Sequence, residues 1–120
     1  MITQVIEMEK IVQQGLLYDF YGELLTEHQR HVYEDVVLND LSLSEIAEEQ
    51  GISRQGVHDL IKRCDKLLDG YEKKLHLVEK FEATKRLAGE IQKALEDYEA
   101  KPEEALLSRA KKAAEQIAQI

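Results

Sequence analysis

The stretch LSLSEIAEEQGISRQGVHDLIKRCDKLL, from Leu41 to Leu68, reads as two short helices joined by a tight turn. Ser42 followed three residues later by Glu45 is the pattern of a capping box, which satisfies orphan amides in the first turn and starts a helix at Leu43. Gly51 can take the left-handed conformation that closes a helix, and Ser53 supplies an N-cap for the next. Ile46 and Ala47, Ile52 in the turn, and Val57, Leu60 and Ile61 form a small shared core, with Ala47 allowing close approach where the helices cross. Two helices joined by such a short turn have helix-turn-helix geometry, in which the second helix is the one that enters a DNA major groove.

These residues also carry a resemblance. SLSEIAEEQGISRQGVHDLIKR is similar to the helix-turn-helix of bacterial sigma factor region 4. LYDFYGELLTEHQ at Leu17 to Gln29, LSEIAEEQGISRQGVHDLIKR at Leu43 to Arg63 and YEKKLHL at Tyr71 to Leu77 together resemble the small bacterial YlxM-like proteins, over most of the first eighty residues. The resemblance implies an all-α regulatory protein associated with the signal recognition particle pathway, a link that rests on gene context and on no residue of this chain. The last forty residues carry no such likeness.

The length of 120 residues suits one domain, or a compact domain with a helical tail. The composition is 43% apolar and 33% charged, with one proline and no tryptophan, and favours helix almost throughout. The expected division is a helix-turn-helix domain over 1–79 and a helical extension over 80–120. No apolar run approaches the roughly 18 residues of a membrane span, and no signal peptide is evident, so we read the chain as cytoplasmic. The single cysteine, Cys64, excludes an intramolecular disulfide and a cysteine-rich zinc site.

The charge distribution works against unaided DNA binding. Residues 1–70 hold six Lys and Arg against fourteen Asp and Glu, a net of −8, whereas residues 71–120 hold ten of each. Phosphate contacts and counterion release dominate DNA affinity, so a basic face is the usual mark of a binder. The second helix of the motif offers Arg54, Lys62, Arg63 and Lys66, with Asp59, Asp65 and Asp69 among them.

Outside the motif, a first helix is expected from about Thr3 to Leu25, with Leu16, Leu17, Phe20, Tyr21 and Leu24 as its apolar stripe. Thr26 and Gln29 form a second capping box, opening a helix that turns Val32, Tyr33, Val36 and Val37 inward and ends near Asn39 and Asp40. Tyr18, Tyr21 and Tyr33 have few cations nearby and read as core. Val57, Ile61, Cys64, Leu68, Tyr71, Leu75 and Val78 step by four and three without a break, which favours one helix from Arg54 to about Glu79 running through Gly70. A C-cap at Gly70 is the competing reading. Phe81, Thr84, Ala88, Ile91, Leu95 and Tyr98 continue in a new register, which places a bend near Lys80. Pro102 opens a last helix at its first position, with Leu106, Ala110, Ala113, Ile117 and Ile120 as its seam. Such seams suggest a homodimer or a docked protein, unless they fold back on the chain itself.

Catalytic and metal chemistry find little support. His28, His31 and Asp35 share a helix face at a spacing that could hold a divalent ion, but such trios are far more often polar surface, so no metal is assigned. Cys64 lies on the apolar seam as a small hydrophobe. GISRQG lacks the lysine of a phosphate-binding loop. We therefore expect no enzyme and no cofactor. One functional reading has Arg54, Gln55, His58 and Lys62 facing the bases of DNA, with RNA as the alternative target, and Arg63 and Lys66 on phosphates. The other keeps the motif only as a scaffold in an adaptor for a component of the signal recognition particle.

Overall fold

The computed structural model describes the backbone of residues 2–120 and the side chains of residues 9–120. It is all-α, with six helices and no strand among the described residues: α1 (Ile2–Tyr21), α2 (Glu27–Tyr33), α3 (Leu43–Gln50), α4 (Arg54–Leu75), α5 (Leu77–Ala100) and α6 (Glu104–Ala118). A 3-10 turn at Gly22–Leu24 follows α1, and a π-helical turn at Glu34–Leu38 extends α2. Two compact units result, Met1–His76 and Leu77–Ile120.

Local capping chemistry sets the boundaries in the first unit. Thr26 and Gln29 exchange both hydrogen bonds of a capping box, at 3.2 and 3.0 Å. The Ser42 hydroxyl accepts from the Glu45 amide at 3.1 Å, and the Ser53 hydroxyl from the Gly56 amide at 2.9 Å. Gly51 stops α3 at φ 68°, a conformation that costs an L side chain about 1–2 kcal/mol. The first helix ends earlier than its apolar stripe suggests, because the chain tightens at Gly22, where an added Cβ would come within 2.8 Å of the Tyr18 ring. Leu24 consequently points outward, 56% exposed, and Leu25 takes the inward place.

The core of this unit is built on α4. Val57, Ile61, Cys64 and Leu68 are buried, together with Leu17, Tyr21, Val32, Tyr33, Ile46 and Ala47 from the helices packed around it. Burial of such apolar surface is the main favourable contribution to folding. Tyr33 is fully enclosed, and Tyr18 stacks on it with ring centroids 5.6 Å apart, so these rings are core and offer no base-stacking platform. Ile52, expected in the core, is 41% exposed, because the turn closed by Gly51 carries it to the surface.

The helix does run through Gly70, but it stops at Leu75 and not near Glu79. His76 adopts φ 56°, and its amide bonds the Glu72 carbonyl at 2.9 Å, a left-handed C-cap that histidine tolerates better than most residues. Leu75 therefore leaves the seam and is 47% exposed. The first unit ends at His76.

In the second unit α5 and α6 pack on one another. The buried residues of α5 are Val78, Leu87 and Ala94, the last two flanked by half-buried Thr84, Ile91 and Tyr98, and the stripe on α6 is Ala110 and Ala113. The expected α5 register is thus rotated: Ala88 is exposed and Leu95 is 44% exposed. Small Ala94, Ala110 and Ala113 permit close helix approach and select this face. Pro102 precedes the extended N-cap Glu103 and so lies outside α6, not at its first position. The seams that suggested a homodimer are largely used within the chain, α4 against the first three helices and α5 against α6.

Gly70 meets nothing within 4 Å of an added Cβ, whereas Gly51 is left-handed. Replacing Gly70 by Ala should stabilise the protein by about 0.5–1 kcal/mol, and Gly51→Ala should destabilise it by about 1–2 kcal/mol. Urea unfolding midpoints at constant slope measure both.

Candidate nucleic-acid interface

With Val57, Ile61, Cys64 and Leu68 turned inward, the rotation of α4 is fixed, and at about 100° per residue the position of every other side chain follows. Gln55, Lys62 and Lys66 fall within about 40° of one another on the side away from the core. All three are exposed, as are Arg54 at the first helical position, His58 on one flank and Arg63 on the other. The α4 face thus gathers Gln55, Lys62 and Lys66 on one line with His58 and Arg63 on its flanks, while Arg54 is exposed through its place at the start of the helix.

Asp65 and Glu72 lie on a different side of α4, turned toward the N-terminal helices. Asp65 accepts from the Gln14 amide at 3.0 and 3.1 Å and from the Tyr33 hydroxyl at 2.6 Å. Glu72 accepts from the Tyr21 hydroxyl at 2.5 Å. Asp69 lines a small cleft with Lys10, Gln13, Gln14 and Leu17. Asp65 is thus engaged on the α1 side and leaves the outward cations, whereas Asp69 is exposed and, seven residues after Lys62, stays beside them as the sequence reading placed it. Asp65 stands four residues after Ile61 and three before Leu68, and that spacing from two core positions is the signal that could have shown it.

A second acid stays on the outer face. Asp59 accepts from the Gln55 amide at 3.0 Å, and its carboxylate lies 4.0 Å from His58 Nδ1. Arg30 adds little as a phosphate contact: it is half-buried, and its Nε is enclosed without a hydrogen-bond partner. Beside the face, Gln29, Arg63, Lys66 and Leu67 line a mostly apolar groove of about 330 Å³.

Residues 8–109 match the model of a protein family, UPF0122, described as "Putative helix-turn-helix protein, YlxM / p13 like". The chain belongs to UPF0122. A UPF0122 protein of Shouchella clausii strain KSM-K16 is 47% identical over 88 residues, covering 73% of this chain and 81% of that protein. Two others, from Bacillus mycoides strain KBAB4 and Bacillus cereus strain AH187, are 45% and 44% identical over 92 residues, covering 77% of this chain and 84% of each relative. The match to UPF0122 extends well past the first eighty residues in which the resemblance was visible, through α5 and into α6. Among the described residues, no helix is long and apolar enough to cross a membrane.

The buried side of α4 also predicts how the fold responds to alkali. Burial, and secondarily the neighbouring Asp65 charge, push the Cys64 thiol up to about 11 from about 9. Burial and a hydrogen bond to Glu34 push the Tyr18 phenol up to about 12, and Tyr33 is raised further by burial and its bond to Asp65. A raised folded-state value means that the neutral form is favoured by folding, so the stability it contributes is complete below the unfolded value and is lost as pH climbs toward the folded one. Stability should therefore fall from about pH 9 upward, and Cys64→Ala should flatten the part of the decline between about 9 and 11 in urea midpoints recorded against pH.

Proposed function

We propose that the protein is a regulator that acts by binding nucleic acid through α4, with no catalysis. The observation that carries this reading is the segregation of charge around that helix, with Gln55, Lys62 and Lys66 aligned outward and Asp65 and Glu72 engaged by Gln14, Tyr33 and Tyr21. Arg54, Gln55, His58 and Lys62 face base edges of a DNA duplex, and Arg63 and Lys66 hold phosphates. RNA is the alternative target. On the resemblance to YlxM-like proteins, the setting is the cytoplasmic signal recognition particle pathway. A homodimer reading two half-sites would supply affinity that Arg54, Lys62, Arg63 and Lys66 of one α4 cannot, and it must use a surface other than the seams already buried.

The acidity of residues 1–70 favours a second reading, in which the motif is a scaffold and the first unit binds a basic component of the signal recognition particle.

With Arg54, Lys62, Arg63 and Lys66 as the phosphate contacts, the slope of log affinity against log salt should be no steeper than about −4. Arg54→Glu combined with Arg63→Glu tests the assignment, since both residues are exposed and neither holds the core. A binding assay on nucleic acid co-purified from native cells should show the double variant losing its target while its helical circular dichroism is unchanged. Unaltered binding of every target would leave the motif as scaffold only.

A further inference from the structure

The packing of α3 adds Glu49 to the pair of ligand-type side chains, His31 and Asp35, that the linear spacing already shows. His31 from α2, Asp35 from the π-turn and Glu49 from α3 place their donor atoms within 4.8 Å of one another. His28, which the sequence groups with His31 and Asp35, is not a member of this group. The His31 Nε2 atom faces two carboxylates at once, Asp35 Oδ2 at 3.5 Å and Glu49 Oε1 at 3.8 Å. One imidazole nitrogen carries at most one proton and can satisfy one acceptor, and both separations are longer than hydrogen bonds of about 2.7–3.2 Å. They do suit donors that share a cation: two ligands each about 2.1 Å from a tetrahedral metal lie about 3.4 Å apart.

The surroundings support the same reading. Asn39 donates its side-chain amide to Asp35 Oδ1 at 3.1 Å, which leaves Oδ2 directed at His31. Ligating carboxylates are commonly held by such an outer hydrogen bond, which fixes the lone pair offered to the ion. The Asp35 side chain is 13% exposed, while those of His31 and Glu49 are 55% and 56% exposed, so an ion can enter from solvent, with water completing the coordination beyond the three side chains. Neutral imidazole with carboxylate oxygens is a donor set for zinc-class ions, whereas magnesium and calcium favour oxygen alone.

We propose that His31, Asp35 and Glu49 bind a divalent transition-metal ion of the zinc class, which fastens the end of α2 to α3 at the front of the helix-turn-helix. The site does not depend on the nucleic-acid reading, because none of its ligands lies on α4. Its chemical role is structural, a link that holds α3 in place beneath the turn.

Cobalt(II) titrated into the full chain at neutral pH reports directly on the ligand set through its visible absorption, and zinc should displace it. His31→Ala and Glu49→Gln should each weaken cobalt binding at least about tenfold, and Asn39→Ala by about tenfold, whereas His28→Ala and Glu48→Gln should leave it unchanged. The exposed positions of His31 and Glu49 keep these variants folded, which circular dichroism checks. Zinc should also raise the melting temperature of the unaltered protein and not that of His31→Ala. Absence of cobalt binding below millimolar concentration would overturn the proposal. So would undiminished binding by His31→Ala, or displacement by magnesium as effective as by zinc, which would mark simple attraction to acidic surface.

Discussion

Asp65 is the joint on which the first unit turns. Its carboxylate receives both the Gln14 amide and the Tyr33 hydroxyl, and so ties α4 to α1 and to α2 at one point. A buried tyrosine hydroxyl left without an acceptor costs about 1–3 kcal/mol, so Tyr33 adds a constraint on the rotation of α4 to that of the apolar seam. The same rotation that supplies Tyr33 with an acceptor leaves Lys62 and Lys66 exposed on the side away from the apolar seam. The outward chemistry of the helix follows from the satisfaction of a buried polar group on its inner side.

How much of this was legible in the sequence depended on range. Thr26, Ser42, Gly51 and Ser53 mark their boundaries correctly because a cap is an interaction among neighbours within four residues. The seams were less legible. On α5, one stripe runs through Thr84, Ala88, Ile91 and Leu95 and another through Thr84, Leu87, Ile91 and Ala94, and heptad spacing allows both. The choice belongs to α6, whose Ala110 and Ala113 favour a close partner such as Ala94. That information lies in a different helix, and no count of spacings along α5 contains it. His76 shows the reverse case, a local signal passed over. Lys73 and Lys74 before it favour the negative end of a helix, and histidine accepts the left-handed turn.

For the candidate site, the outward residues from Gln55 to Lys66 were legible because one helix with four core positions fixes their places. The relation of Asp65 to Tyr33 was not, because it joins residues 32 apart in the chain. The grouping of Glu49 with His31 and Asp35 escaped for a similar reason. It depends on the packing of α3 beside the π-turn, and a π-turn displaces side chains from the places that an α-helical count gives them.

Net charge and charge placement make separate contributions to the proposed function. A net charge of −8 over residues 1–70 acts at long range, slowing the approach of any polyanion, and is screened within about 8 Å at physiological salt. Contact is governed by what lies on the face itself, and there the carboxylate nearest its centre, Asp59, matters most. In the free protein it engages the Gln55 amide and sits beside His58, so two of the proposed base-facing side chains are preorganised by one acid. Against phosphate that acid is repulsive. Against a base edge it is selective, because a carboxylate accepts from the amino group of cytosine and is left unpaired opposite thymine or guanine acceptors. A reading helix with few cations and one central acid gives up nonspecific affinity, and what it gains is discrimination, since a wrong base leaves a desolvated charge without a partner.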